Sequence, residues 1–396
     1  MLDLHNDKAP SRREAVELIL SRWKPARGSE RVALDAAPGR VAASDIFAAH
    51  SLPVVRASAM DGICVDSSRF AGGAPDTSLW REGRDYARAD TGDDFDDRFD
   101  AVIQIESVSF LPGGGLALTG VDDLRPGLNV RGCGSSVMEG ELIVRAGTAL
   151  RPFDLAALAL GGVSEIEAAK KPVVAFIPTG SELVPQGTVP RRGQAVECNS
   201  LMARHMLLEM GAEPLCLSIA RDEPAALREA IRRAGAAADV VLISGGSSKG
   251  GEDFCAGMIA EMGEGLFHWI ASAPGRPMAA AMLGNVPLLN LPGPPVASYF
   301  VMDWCVRALA AHFLGQPEPV RKTVRAELLV DMEPTEGMEI LRKLELSGTG
   351  PSYGARVVEM RGVSTVKALT SSAQLVTDPG PEGRRRGDIV DAELLR

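Results

Sequence analysis

Val240-Val241-Leu242-Ile243-Ser244-Gly245-Gly246-Ser247-Ser248-Lys249-Gly250-Gly251-Glu252-Asp253 is the stretch on which the reading of the fold turns. Four consecutive apolar residues, three of them β-branched, predict a strand buried on both faces, as in a parallel sheet. The glycines that follow let backbone N–H groups turn towards an anion, and Phe254 opens a helix. Strand, glycine-rich loop and helix N-terminus in that order make a candidate phosphate or oxyanion site, with a plain flexible turn as the alternative.

Outward from this stretch the same alternation repeats. Apolar runs at 173–177, 215–219 and 286–291 predict further strands. Helices are expected from Asn199 as a cap to Met210, from Asp222 with Pro224, and over 296–313. Alternation of this kind implies an α/β domain with a mostly parallel sheet covered by helices on both faces, and ligands bind beyond the carboxyl ends of such strands. Ser11 with Glu14 three residues on has capping-box spacing and announces a first helix carrying Val16, Ile19, Leu20 and Trp23 on one face. Residues 32–145 carry short apolar runs broken by Gly, Pro and Asp and read as β-rich, a helix follows over 152–160, and a separate β module follows Gly315.

Several acidic residues fall where the α/β strands end: Glu182 after Thr179-Gly180-Ser181, Asp222 before Pro224, and Asp253. Together they suit a Mg2+ ion shared with substrate phosphates; singly, Asp222 and Asp253 are also good helix caps. In the β-rich region Asp61, within Ser58-Ala59-Met60-Asp61-Gly62, and Thr91, within Asp90-Thr91-Gly92, read by themselves as turn residues.

The composition narrows the field. A net charge of −10 over 396 residues argues against a nucleic-acid surface, and the Arg384-Arg385-Arg386 run is too short to reverse it. Six scattered cysteines without a CxxC pair indicate neither a zinc knuckle nor a disulfide framework. No basic-then-apolar leader and no apolar run of about 20 residues is present, so the expectation is a cytoplasmic protein with no membrane partner.

Taken in order, SAMDG (58–62), DTG (90–92), Glu106, RPGLNVRGCG (125–134), TGSEL (179–183), RDEP (221–224), SGGSSKGGED (244–253), PGRP (274–277) and LPGPP (291–295) resemble the molybdenum insertases of the MoeA and gephyrin E-domain type over nearly the whole length. That resemblance implies an elongated four-domain architecture combining α/β and β domains. Its parts would be residues 1–45 with 140–170, a β-rich domain at 46–139, an α/β molybdopterin-binding domain at 171–316, and a C-terminal β domain at 317–396. It implies a homodimer with its cleft between subunits, and Mg2+-dependent insertion of molybdate into adenylylated molybdopterin with release of AMP. Molybdoenzymes or other cofactor-biosynthesis proteins would be partners. On the matching positions it implies catalytic roles for Asp61, Thr91, Glu182, Asp222 and Asp253, the last three also as ligands for Mg2+ or molybdate. Cofactor binding would fall to Thr179, Gly180, Ser181, Gly245, Gly246, Ser248, Lys249, Gly250, Pro274, Gly275, Arg276, Pro292 and Gly293.

The chain departs from that pattern where insertases carry charge. KPGKP is replaced by Ala273-Pro274-Gly275-Arg276-Pro277, the basic residue four positions earlier by Trp269, and an acidic residue by Ser136. TGDEL reads TGSEL, and LPGNP reads LPGPP. An arginine keeps the charge of lysine but not its geometry. Lys249 and Arg276 are expected to restore part of the lost positive charge. The alternatives left open are a non-inserting paralogue that binds molybdopterin or a partner as carrier or scaffold, and an insertase that prefers tungstate.

Overall fold

The computed structural model describes residues 9–221, 223–245, 254–318, 320–335, 337–348, 353–358 and 365–395. The chain divides into two compact units, Met1–Gly28 with Lys170–Arg396, and Ser29–Ala169.

The first unit is built on a six-stranded sheet. Its strands are β1 (Val173–Pro178), β2 (Glu213–Cys216), β3 (Val240–Ser244), β4 (Glu264–His268), β5 (Ala279–Leu283) and β6 (Val286–Leu291). They run in the order β2-β1-β3-β6-β5-β4, the first four parallel and β5 and β4 antiparallel. Side chains alternate between the faces of a strand. Val174, Phe176, Val240, Leu242, Leu289 and Leu291 therefore enter one core, with Ala203 and Leu207 of the helix Asn199–Glu209. Ala175, Ile177, Val241, Ile243 and Leu288 enter the other, with Leu227 and Ile231 of the helix Pro224–Ala237 and Met258 and Ile259 of Phe254–Met262. The apolar runs of the sequence are thus explained by helices on both faces. The hairpin of β4 and β5 was not foreseen, and the strand expected at 215–219 lies at Glu213–Cys216.

The first helix, Arg12–Arg22, has the expected capping box at Ser11 and Glu14. It joins the α/β core through Ala15, Ile19 and Trp23, whose indole lies 6.0 Å from the Phe313 ring. The apolar face of that helix is thus buried in the core of the α/β domain. The expected helix over 296–313 is Pro295–Val301 and Arg307–Leu314 joined by a wider π turn, Met302–Val306.

Beyond it, five strands close into a barrel. Glu339–Ser347 pairs with Tyr353–Val358 on one side and Ala373–Thr377 on the other, and Thr323–Leu328 and Ile389–Leu394 complete the ring. Closure leaves no open sheet edge among these strands. Asp303 on the π turn ties helix to barrel, accepting from Arg307 at 3.1 Å, from Arg321, and from Gln374 at 3.1 Å.

The second unit, Ser29–Ala169, holds separate cores. In one, Ser29–Ala33 pairs with Glu165–Ala169, and Val32, Val144, Leu158 and Ile166 pack together. In another, Gly62–Val65 runs between Ala87–Ala89 and Ala101–Gln104 over Ile63, Phe70, Trp80 and Ile103. Among the described residues no helix is long and apolar enough to cross a membrane.

One buried charge in the barrel has a measurable consequence. Lys343 is 1% exposed, with its Nζ 3.5 Å from the centre of the Tyr299 ring. Burial pushes its ammonium down to about 7, against the upward pull of Asp303. An unfolded chain keeps that proton up to the ordinary lysine range, so between about pH 7 and 10.5 the unfolded state binds more protons and stability rises with pH. Lys343→Met is expected to remove about one proton of this dependence in urea titrations across that window; an unchanged slope would show the amine to be solvated.

Candidate active site

Pro178, Ser244 and Leu291 stand side by side in register at the ends of β1, β3 and β6. Past this row lies a cavity of about 450 Å³, lined by Thr179, Glu182, Glu197, Asn199, Gly245 and Gly293 among others. Thr179 N–H donates to the Ser244 carbonyl at 2.9 Å, and Gly245 N–H to that of Leu291 at 3.2 Å, which carries the sheet pattern one residue beyond the strands. Gly245 has φ +114°, and a Cβ there would lie 2.2 Å from the Thr179 carbonyl oxygen, so only glycine fits.

The floor of the cavity is polar and cross-linked. Asn199 is buried, and its Nδ2 donates to Ser244 Oγ at 3.0 Å and to the Gly293 carbonyl at 2.8 Å. The side chain expected to cap a helix instead joins the ends of β3 and β6 to it. The cap is supplied by Glu197, whose Oε1 accepts from Ser200 N–H at 2.9 Å. Asn290, fully buried within the apolar run of β6, donates to the Gly245 carbonyl at 3.1 Å, while its Oδ1 has no hydrogen-bond partner among the described residues.

In the unit Ser29–Ala169, the SAMDG and DTG segments meet. Asp61 Oδ1 accepts from Thr91 N–H at 2.6 Å and from Thr91 Oγ1 at 2.8 Å. The backbone bond first, then the hydroxyl bond, holds the Asp61 carboxyl below its ordinary range. Gly92 N–H donates to the Ser58 carbonyl at 2.8 Å, Ser58 N–H donates to that of Asp93 at 2.8 Å, and Ile105 N–H donates to that of Asp61 at 2.8 Å. A Cβ on Gly62 would lie 2.0 Å from the Ile103 carbonyl oxygen, so this turn too requires glycine. Two sites that by themselves read as ordinary turns are one hydrogen-bonded unit presenting an ionised carboxylate.

The remaining expected residues fall into distinct places. Thr179, Glu182, Gly245 and Gly293 line the cavity, while Gly180 and Ser181 form the turn between Thr179 and Glu182 and Pro292 is buried beside it. Pro274, Gly275 and Arg276 do not line it; they form the turn between β4 and β5, where the Arg276 guanidinium lies 5.4 Å from the centre of the Trp269 ring. Asp222, Gly246, Ser248, Lys249, Gly250 and Asp253 lie outside the described residues. Glu197, Asn199 and Asn290 were not anticipated as site residues. An asparagine inside an apolar strand is itself a signal, because a buried amide needs partners.

Residues 11–162 match the family model of the MoeA N-terminal region (domain I and II), and residues 175–312 that of a probable molybdopterin binding domain. The molybdopterin molybdenumtransferase of Haemophilus influenzae is 30% identical over 303 residues, 73% of this chain and 74% of that protein. That of Bacillus subtilis is 26% identical over 391 residues, 93% and 90% of the two chains. The crystal structure of a molybdopterin biosynthesis MoeA protein from Pyrococcus horikosii superposes with a TM-score of 0.81 at 26% identity, covering 98% of this chain and all of that one.

Asn199→Ala is expected to leave the Gly293 carbonyl and the Ser244 hydroxyl without their donor, costing about 1–3 kcal/mol, with faster exchange at the amides of Asn290, Leu291 and Gly293. Unaltered exchange would mean that the tie is not structural. For Asp61 the depressed carboxyl makes the Thr91 link complete above the ordinary carboxylate range and lost as pH falls through the lowered value. Thr91→Val, which keeps the N–H but not the hydroxyl, should raise the Asp61 titration midpoint in carbon-detected NMR.

Proposed function

Because the chain belongs to the MoeA family of molybdopterin molybdenumtransferases, we propose that it inserts molybdate into adenylylated molybdopterin, with Mg2+ and with release of AMP. It is a transferase of molybdenum cofactor biosynthesis. The observation that carries the finer reading is the cavity beyond β1, β3 and β6, where ligands of open α/β sheets bind. Breaking a phosphoanhydride-type bond depends mainly on positioning and on neutralising charge. The Gly245 turn keeps the cavity floor free of side chain, and Asn199 fixes the geometry of its walls.

Glu182 and Glu197 both line this cavity, and carboxylate oxygens are the donors Mg2+ takes, alongside water and substrate phosphates. These two side chains would hold the ion, which supplies charge neutralisation at the phosphate. Asp61, kept ionised by Thr91, is a fixed negative group suited to orient a proton-bearing or metal-bound substrate atom.

A second reading, a binder that does not insert metal, is favoured by one contact. Arg131 Nη2 donates to Ser136 Oγ at 2.7 Å, a neutral partner where the resembling insertases carry an acid.

With adenylylated molybdopterin and Mg2+, AMP release is expected to require molybdate. Glu182→Gln and Asp61→Asn should each lower kcat by roughly 100-fold without unfolding the chain, a loss of the size seen when one group serving the transition state is removed. Tight binding without molybdate-dependent AMP release would establish the binder instead.

A further inference from the structure

Trp269 is 40% exposed, whereas Trp23, Trp80 and Trp304 are 9% exposed or less. It follows β4 directly, with φ +75°, a backbone conformation that costs a non-glycine residue about 1–2 kcal/mol. Burial does not repay that cost. Three backbone hydrogen bonds impose the conformation: Trp269 N–H to the Met278 carbonyl at 2.9 Å, Ile270 N–H to that of Arg276 at 3.0 Å, and Met278 N–H to that of Gly275 at 3.0 Å. The turn thus holds the Trp269 backbone in place with its indole partly exposed to solvent.

Its position is set by register. Asn290 of β6 pairs with Ala279 of β5, which pairs with His268 of β4. Trp269 therefore stands at the sheet edge that carries the cavity, two strand spacings or about 10 Å beyond β6. The His268 ring lies 5.3 Å from the indole at an angle of 50°, and the Arg276 guanidinium 5.4 Å from it. Arg276 is exposed and has no carboxylate partner among the described residues, so its charge is available to an anion.

An exposed indole beside a guanidinium with no carboxylate partner among the described residues suits a flat heterocycle with an anionic group close to it. We propose that Trp269 and Arg276 form the stacking platform for a heterocyclic end of the substrate, with Arg276 engaging the adjoining phosphate. The assignment rests on the functional reading above. Pterin and adenine share this chemistry, and the titration distinguishes them.

The test is calorimetric titration of the full chain with AMP and, separately, with 6-hydroxymethylpterin, together with acrylamide quenching of indole fluorescence, to which Trp269 is the most exposed contributor. The ligand that binds the platform protects the indole from quenching. Trp269→Ala weakens that ligand about tenfold, the size of one lost base–aromatic stack, and Trp269→Phe restores it to within about threefold. In turnover, Trp269→Ala raises KM by a similar factor while kcat stays within about twofold, and Arg276→Gln reduces the salt dependence of AMP binding. Wild-type turnover with an unchanged KM in Trp269→Ala overturns the platform alone. Protection that follows protein concentration rather than ligand overturns it in favour of a contact between two copies. If the wild-type chain binds neither probe and releases no AMP, the functional reading fails and the platform with it.

Discussion

The close approach of Gly245 to the Thr179 carbonyl is the constraint on which the site depends. Parallel strands bring several chain ends to one edge, and each chain must leave that edge without filling the space above its neighbour. At Gly245 a side chain of any size would collide with backbone, its Cβ 2.2 Å from the Thr179 carbonyl oxygen just past the end of β1. With glycine there, the strands stay in register through Pro178, Ser244 and Leu291, and the space past them remains open. Gly62 plays the same part against Ile103 in the other unit, where it lets the strand begin directly after Asp61.

From that constraint the polar interior follows. A backbone that turns sharply at a buried edge exposes carbonyl groups that water cannot reach, and each must find a donor. The carbonyls of Gly245 and Gly293 take theirs from Asn290 and Asn199. These amides are buried because they complete the backbone of the site. The ionised Asp61 is instead exposed and is held by a backbone N–H as well as a hydroxyl, so its orientation does not depend on a flexible partner alone.

Much of this architecture is legible in the residues. The apolar runs of β1, β3 and β6 are continuous because each strand is covered on both faces, and the helices between them carry capping and proline signals. The hairpin of β4 and β5 is less legible: Ala279, Ala280 and Ala281 are poor strand formers locally, and only tertiary pairing makes them a strand. The assignment of the first helix to the α/β core was hidden for a related reason, since an apolar face states that burial is needed but not against what. Motif order pointed to Thr179, Glu182, Gly245 and Gly293, which line the cavity, and to Asp61 and Thr91, which bond to each other in the other unit. The position of Asn199 at a helix start predicts a cap, the usual place of asparagine there. Its actual bonds, 45 and 94 residues along the chain, have no local signature.

The central claim is that the glycine-floored cavity at the carboxyl edge receives the pterin nucleotide. Its most direct test is calorimetric binding of adenylylated molybdopterin to Gly245→Ala, with circular dichroism as the control for folding. A folded chain whose affinity falls by at least tenfold is expected, because the added methyl must displace the Thr179 backbone from the cavity wall. A folded variant that binds as tightly as the parent would contradict it.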